Sequence, residues 1–181
     1  MQSKTRGPRR LYAAIAVLGA AVDQTSKFWA ADHLRGGSSF ALGPIKLEVT
    51  RNPGAAFGLG RGLTPLITAI TISAVVALFI AGCRTRDRLW AVALGLITAG
   101  AAGNGIDRLA RTPGIGRGAV VDWIKAPFYS PVFNLADLSL RFGALLVLWA
   151  LVTTRAFGLD RPERADAQPS ENPVMRTLGS P

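Results

Sequence analysis

The chain has 181 residues, of which 49% are hydrophobic and 18% are charged, and its formal net charge is +10. The charges cluster between long apolar runs, which is typical of a small integral membrane protein and excludes an ordinary water-soluble domain. The basic residues form no stripe interleaved with aromatic residues, so we predict no nucleic-acid partner. A single Cys and a single His exclude a disulfide framework and a Cys/His zinc site.

The N-terminus is basic over 1–10 and leads into a first predicted membrane span over 11–31. The run begins like a secretory signal peptide, but it continues through a polar stretch and has no clear cleavage site of small residues. In that stretch, Asp23 and Lys27 lie one helical turn apart on the same face. Because charges inside a membrane are costly and usually paired, two interpretations stay open: a structural ion pair or a direct role in a site.

The segment 34–62 is polar, glycine-rich and too interrupted to span a membrane. Apolar and polar residues alternate over 45–50, which predicts a half-buried strand. The next stretch, 51–58, opens with Asn52-Pro53-Gly54, a typical turn sequence. Taken alone, this chemistry favours an ordinary surface turn.

Two further spans are predicted over 64–82 and 89–106. Cys83 ends a sequence that resembles a lipoprotein lipobox, but it lies far from the N-terminus, so we interpret it as a small residue at a helix end. The third span carries small residues suited to close helix packing. The short connection between these spans is basic, which places it in the cytoplasm by the positive-inside rule. Its arginines are Arg84, Arg86 and Arg88.

Polar side chains concentrate between the third span and a fourth, which is predicted over 134–157 and whose apolar run from Leu138 is interrupted near its start by Arg141. A glycine- and proline-rich connection over 109–119 lies between the polar residues at the end of the third span and those before the fourth. The composition becomes charged and proline-rich after the last span, which predicts a disordered cytoplasmic tail over 158–181. The cluster contains three carboxylates, two amides and an arginine, namely Asn104, Asp107, Arg108, Asp122, Asn134 and Asp137.

Both chain ends lie inside in this topology, so the cluster and the 34–62 segment meet at the outer face. A polar cluster at that depth indicates a functional site. Nucleophilic triads fail because His33, the single histidine, lies outside the cluster. Two kinds of chemistry remain open: three carboxylates holding a divalent cation, or two of them acting on water as an acid/base pair. For Asn134 and Asp137, helix capping is a further interpretation.

The chain from about 11 to 157 resembles lipoprotein signal peptidase, the signal peptidase II family of membrane aspartyl proteases. The resemblance rests on five blocks in the family's order. They are Asp23-Gln24-Thr25-Ser26-Lys27, Asn52-Pro53-Gly54-Ala55-Ala56-Phe57, Gly103-Asn104-Gly105-Ile106-Asp107-Arg108, Val120-Val121-Asp122-Trp123 and Phe133-Asn134-Leu135-Ala136-Asp137.

The resemblance implies an all-α integral membrane protein with four transmembrane helices and a small periplasmic-side β-sheet formed from the loop after helix 1. It implies a catalytic pair, Asp122 and Asp137, with no metal and no cofactor. The substrate would be a bacterial prolipoprotein cleaved on the amino side of its diacylglyceryl-modified cysteine. Residues around that substrate would be Asn52, Gly54, Asn104, Arg108 and Asn134, and supporting roles would fall to Asp23, Lys27 and Asp107.

The same resemblance implies a multi-pass protein of the bacterial plasma (inner) membrane, with both termini cytoplasmic and the active site near the outer face. We expect a monomer that contacts membrane lipid. Ala99 departs from the family's frequent glycine, a change expected to affect only helix packing, and the 109–119 connection is longer than usual. Two other classes compete: a small transporter or channel, in which the acids relay protons or bind a cation, and a metal-dependent enzyme acting on lipid head groups.

Overall fold

The computed structural model describes residues 6–55 and 58–156. This part of the chain forms long helices with three short strands between them. In chain order they are α1 Arg6–His33, β1 Ser39–Leu42, β2 Ile45–Asn52, α2 Thr64–Arg84, α3 Arg88–Ala110, β3 Val120–Lys125 and α4 Leu135–Ala156. The tail predicted over 158–181 lies outside the described residues.

Three of the described helices are long and apolar enough to cross a membrane, namely Thr64–Arg84, Arg88–Ala110 and the Leu135–Thr153 part of α4. The remaining helix, α1, has 28 residues, or about 42 Å at a rise of ~1.5 Å per residue. It carries two buried charges, Asp23 and Lys27, within its second half. A helix therefore covers most of each predicted apolar range.

Helix α3 lies at the centre of the bundle and contacts α1, α2 and α4. Its small residues allow this close approach: a side chain at Gly100 would meet the Ala136 carbonyl of α4, and one at Gly103 would meet Asp23 of α1. Ala99 is buried against Gly19, where its methyl group occupies the space that a second side chain would need. The helices are therefore held by close van der Waals packing of small residues, as in other membrane bundles.

The three strands form one antiparallel sheet in the order β1-β2-β3. The strand predicted over 45–50 is present as β2, but the sheet is not formed from the loop after helix 1 alone. Its third strand, β3, comes from the segment before α4 and pairs Asp122 with Thr50. The sequence-based prediction missed β3 because pairing across some 70 residues leaves no local signal beyond an apolar run.

The long connection between α3 and β3 folds back on the end of α3. The Gly118 N–H donates to the Arg108 carbonyl at 3.0 Å, and the Thr68 hydroxyl of α2 donates to the Gly116 carbonyl at 2.8 Å. A side chain at Gly118 would collide with the Asp107 carbonyl, so this close approach requires glycine. This connection therefore folds at the surface of the protein, and β3 still begins beside the end of α3.

Candidate active site

The start of α4 is fixed by a reciprocal pair of hydrogen bonds between Asn134 and Asp137. The Asp137 N–H donates to Asn134 Oδ1 at 2.9 Å, and the Asn134 N–H donates to Asp137 Oδ2 at 3.2 Å. This is a capping box, with Asn134 as the N-cap residue. The capping interpretation of both residues therefore describes their geometry, and the cap holds the Asp137 carboxylate at the helix N-terminus.

Asp122 lies in the middle of β3, and its side chain is buried, with 4% of its surface exposed. The Asn134 Nδ2 group donates to Asp122 Oδ1 at 2.6 Å, so Asn134 contacts both carboxylates, Asp122 through its side-chain amide and Asp137 through its backbone N–H. Burial, and after it the negative charge of Asp137, raise the pKa of Asp122 to about 7, although hydrogen bonds from Asn134 and Asn52 lower it. Near neutral pH, Asp122 therefore exchanges a proton readily.

Asn104 of α3 connects this pair to the interior of the bundle. Its Nδ2 group donates to Asp137 Oδ1 at 3.1 Å, while its Oδ1 atom accepts from the Lys27 ammonium at 2.8 Å. Because Lys27 can only donate, this contact fixes which end of the Asn104 amide faces Asp137. Asp137 therefore accepts hydrogen bonds from two residues, Asn104 and Asn134.

The turn after β2 brings Asn52 and Gly54 to the same place. The Gly54 N–H donates to Asn52 Oδ1 at 3.0 Å, which is an Asx-type turn. Gly54 is buried, and a side chain there would lie 2.5 Å from the Leu59 carbonyl. The Gly54 carbonyl accepts a hydrogen bond of 2.8 Å from Arg108 Nη2. This is an interior turn packed against α3 rather than the ordinary surface turn that local chemistry favours.

These side chains surround one cavity of about 890 Å³. It opens between the sheet, the turn after β2 and the helices α2, α3 and α4. Its polar wall includes Asn52, Asn104, Arg108, Asp122 and Asp137. Its apolar wall includes Ile67, Ile70, Ala74, Ala101 and Leu140. A cavity lined by both polar and apolar side chains suits a ligand that has both a polar and an apolar part.

Behind the cavity lies a second polar cluster, which we call the buried charge network: Asp23, Lys27, Asp107 and Arg111. The Lys27 ammonium lies 2.8 Å from Asp23 and 3.0 Å from Asp107, and it also donates to Asn104. Lys27 is fully buried, and its three N–H donors have three acceptors. Arg111 lies one turn after Asp107 and donates to its Oδ1 atom at 2.6 Å.

The two carboxylates of this network also hold the backbone beside the two acids of the cavity. Asp107 Oδ2 accepts the Val121 N–H at 3.0 Å, one residue before Asp122. Asp23 Oδ1 accepts the Ala136 N–H at 2.9 Å, one residue before Asp137. Lys27 pairs with both carboxylates, so one ammonium connects the anchoring of β3 to that of α4.

The predicted site residues thus fall into two groups. Asn52, Gly54, Asn104, Arg108, Asp122, Asn134 and Asp137 meet at the cavity or contact a residue that lines it. Asp23, Lys27 and Asp107 lie behind it. Sequence reasoning gave no role to Gln24, which donates to the Gly103 carbonyl and to Asp107, or to Arg111. The spacing of four residues between Asp107 and Arg111 was the available signal.

The described residues bear on the other kinds of chemistry as well. Asp107 faces Lys27 and Arg111 rather than the two acids of the cavity, so the three carboxylates do not converge on one cation. Among residues 6–55 and 58–156, no group of three or more His, Cys, Asp or Glu side chains has the arrangement of a metal site. His33 is exposed at the end of α1, away from the cavity.

Comparison with known families matches this architecture. A family model described as signal peptidase (SPase) II matches residues 15–153. The chain belongs to the signal peptidase II family. Membership makes it a protease and confirms the resemblance seen in the five sequence blocks, and every residue of the cavity and of the buried charge network lies inside the matched range.

Individual relatives of this signal peptidase II chain agree. The lipoprotein signal peptidase of Mycobacterium avium is 39% identical over 159 residues, which cover 86% of this chain and 85% of the relative. The lipoprotein signal peptidase of Bifidobacterium longum subsp. infantis is 36% identical over 175 residues, which cover 95% of each chain. A solved structure titled as a bacterial membrane enzyme superposes with a TM-score of 0.73 at 32% identity, over 84% of this chain and 94% of its own.

Proposed function

We propose that this protein is an aspartyl endopeptidase of the bacterial plasma membrane that removes the signal peptide from diacylglyceryl-modified prolipoproteins. It cleaves on the amino side of the lipid-modified cysteine, with water as the nucleophile. The observation that carries this proposal is the bridging of Asp122 and Asp137 by Asn134 inside a half-apolar cavity. A pair of acids that shares one proton can supply both the general base that activates water and the general acid that protonates the carbonyl oxygen.

The chemistry follows from the unequal environments of the two acids. Burial raises the pKa of Asp122 to about 7, so Asp122 stays protonated below that pH. Asp137 lies at a helix N-terminus, where a negative charge is stabilised. Asp137 takes a proton from water, the water oxygen attacks the scissile carbonyl carbon, and Asp122 donates its proton to the carbonyl oxygen. Collapse of this tetrahedral intermediate breaks the C–N bond as Asp137 gives its proton to the leaving amine and Asp122 takes a proton back from one hydroxyl of the intermediate, which restores both acids to their starting states.

Arg108 supports the proposed placement of the peptide. Its side chain is 6% exposed, and only its Nη2 group has a hydrogen-bond partner among the described residues, the Gly54 carbonyl. Its Nε and Nη1 groups are buried without a partner, although an unsatisfied buried donor costs about 1–3 kcal/mol. Because Arg108 lines the cavity, a carbonyl oxygen of the bound peptide would satisfy these donors.

The proposed topology has four spans, with α1 as the fourth beside the three apolar helices. Both termini lie in the cytoplasm, and the sheet and the cavity lie at the outer face. The basic connection between α2 and α3 supports this orientation by the positive-inside rule. Water then reaches the acids from the outer surface, as hydrolysis requires.

The decisive experiment is cleavage of a diacylglyceryl-modified precursor by purified protein in detergent, with a chelator present. Asp122→Asn and Asp137→Asn keep side-chain size and polarity but cannot share a proton, so each should abolish cleavage. Asp32→Asn, at an exposed acid near the end of α1, is the matched control and should cleave normally.

Each outcome of this experiment has a distinct meaning. Cleavage by either dyad variant would overturn the assignment of Asp122 and Asp137. If wild type cleaves the precursor without chelator and not with it, the peptidase is metal-dependent, and the proposal of a metal-free pair of acids is wrong. Failure of a well-inserted wild type on the lipid-modified precursor would overturn the proposed function and leave a small transporter or channel as the alternative.

The topology has its own test, because the chain contains one cysteine and that cysteine is exposed at the end of α2. A membrane-impermeant thiol reagent applied to intact cells should leave Cys83 unlabelled. In a Cys83→Ser background, Ser38→Cys, before β1, should be labelled. Labelling of Cys83 in intact cells would reverse the proposed orientation.

A further inference from the structure

Arg141 is the one charged residue between Asp137 and Arg155 of α4, and the proposed mechanism does not use it. Its guanidinium donates from Nη2 to the Tyr129 hydroxyl at 2.7 Å and stacks over the rings of Tyr129 and Phe133 at 5.0 and 5.5 Å. Among the described residues, no carboxylate forms an ion pair with it. An arginine in a membrane helix is costly, so this placement indicates a functional contact.

The orientation of Arg141 is fixed by these aromatic rings. Tyr129 and Phe133 meet edge to face at 5.8 Å, and Phe133 is tied to β3 by backbone hydrogen bonds with Ile124 at 2.8 and 2.9 Å. All three side chains, Arg141, Tyr129 and Phe133, line the same cavity as the two acids. Arg141 is exposed, and it lines the substrate cavity while reaching back towards the segment that precedes α4.

The distance from the acids also fits a substrate contact. Arg141 follows Asp137 by one helical turn, roughly 6 Å along α4, on the same face of the helix. Leu140, beside it, belongs to the apolar wall. Arg141 thus lies at the junction between the polar and the apolar parts of the cavity, where the ester groups of a lipid pass from polar to hydrocarbon surroundings.

We propose that Arg141 donates hydrogen bonds to the ester carbonyl oxygens of the diacylglyceryl group on the substrate cysteine. This inference rests on the proposed function. The lipid is attached to the cysteine that follows the scissile bond, so with that bond at the acids the glyceryl esters lie only a few bonds away. A guanidinium held by a tyrosine hydroxyl and two rings is oriented before binding, which reduces the entropy lost when it contacts the ester.

The experiment is a thermodynamic cycle of the double-mutant kind, with one change made in the protein and the other in the substrate. Two synthetic precursors carry either the diacylglyceryl group or its dialkyl ether counterpart, in which each ester carbonyl is replaced by a methylene group. Each precursor is cleaved by wild type, Arg141→Met and Tyr129→Phe, with Arg35→Met as a matched control at an exposed arginine outside the cavity. The ratio of kcat/KM for ester over ether isolates the pairwise contact, and it does not depend on the fraction of folded enzyme.

Wild type and Arg35→Met should prefer the ester by about tenfold, the size of one hydrogen bond from a charged donor. In Arg141→Met the ratio should fall to about one, and in Tyr129→Phe it should fall part of the way. An unchanged ratio in Arg141→Met would overturn the inference while leaving the proposed function intact. Failure of wild type to cleave the ester precursor would instead overturn the proposed function.

Phospholipids offer the same ester chemistry, so the assay is repeated with and without added anionic phospholipid. If Arg141 binds the substrate's esters, the ester preference of wild type is unchanged by phospholipid. If Arg141→Met loses a stimulation by phospholipid but keeps the wild-type ester preference, Arg141 contacts a membrane lipid, and the inference is wrong.

Discussion

Two polar clusters lie side by side in this bundle, and their central cations, Lys27 and Arg108, differ in how completely their donors are satisfied. In the buried charge network, the three N–H donors of Lys27 meet Asp23, Asp107 and Asn104. At the cavity, Arg108 leaves two donors without a partner among the described residues. Both cations are buried, so exposure to water does not explain the difference. At the edge of the buried charge network, Arg111 Nη2 also has no hydrogen-bond partner among the described residues.

The comparison separates structural groups from groups that await a ligand. Lys27, with all three donors paired, has already recovered much of the cost of its removal from water, and its two carboxylate partners hold the backbone beside both acids. The two unpaired donors of Arg108 recover that cost only when a ligand in the cavity accepts hydrogen bonds from them. Changes in the buried charge network should therefore act mainly on folding, and changes at the cavity mainly on catalysis.

The largest effect should follow Lys27→Met, which leaves the carboxylates of Asp23 and Asp107 buried without their shared cation. Removing one partner of a buried ion pair costs about 3–5 kcal/mol, so we expect a large drop in the midpoint of thermal unfolding in detergent, with loss of cleavage. Arg86→Met, at an exposed arginine before α3, should leave the midpoint unchanged. A stable but inactive Lys27→Met protein would instead assign Lys27 a direct role in the site.

Arg108→Lys tests the cavity cluster, where we expect a change to act mainly on catalysis. It keeps the positive charge but loses the planar set of donors that reaches both the Gly54 carbonyl and the cavity. We expect kcat/KM to fall about tenfold or more, with a much smaller change in the unfolding midpoint.

Arg111→Lys, one turn further along α3, is the matched variant in the buried charge network, because Arg111 donates to Asp107. It should lower stability while leaving the cleavage rate per folded molecule near that of wild type. If Arg111→Lys reduced kcat/KM as strongly as Arg108→Lys, the division between the two clusters would be wrong.

The pH dependence of kcat/KM should be set by Asp122 in the cavity. Because burial and the charge of Asp137 raise the pKa of Asp122 to about 7 from an ordinary 3.8, the shared proton is lost as pH rises through 7. We expect kcat/KM to fall above that pH, approaching tenfold per unit. A rate that stays constant from pH 6 to 9, measured below saturating substrate, would contradict a protonated Asp122 as the acid.

The raised pKa of Asp122 also makes the free energy of unfolding depend on pH. Between pH 3.8 and about 7, folded Asp122 binds a proton that the unfolded chain has released, so the free energy of unfolding decreases as pH rises through this window. Asp122→Asn should flatten that part of the stability profile, which denaturant titration in detergent at pH 5 and pH 7 would detect.

The smallest effect should come from a surface ion pair at the far end of β3. Lys125 lies 3.1 Å from Glu48, and hydrogen bonds from Lys46 and Lys125 lower the pKa of that carboxyl. Both side chains are partly exposed, so Lys125→Met should cost less than about 1 kcal/mol and leave cleavage intact. A larger loss would mean that the sheet depends on its edge as much as on the buried charge network.

Local pattern predicted much of this protein from its sequence alone. Four apolar runs indicated the helices because hydrophobic length and period are properties of contiguous residues. Alternation over 45–50 indicated β2 for the same reason. The pairing of Asp23 with Lys27 followed from a helical spacing of four residues, and the family followed from five blocks in a fixed order.

Only the tertiary structure decided what these pieces do together. It joined β3 to β2, turned Asn134 into both a helix cap and a link between Asp122 and Asp137, and placed Lys27 between carboxylates of two helices. It also placed Arg141 beside Tyr129 and Phe133 at the cavity. Each of these contacts joins residues on different elements, so its distance is set by how the elements pack, which sequence spacing does not contain.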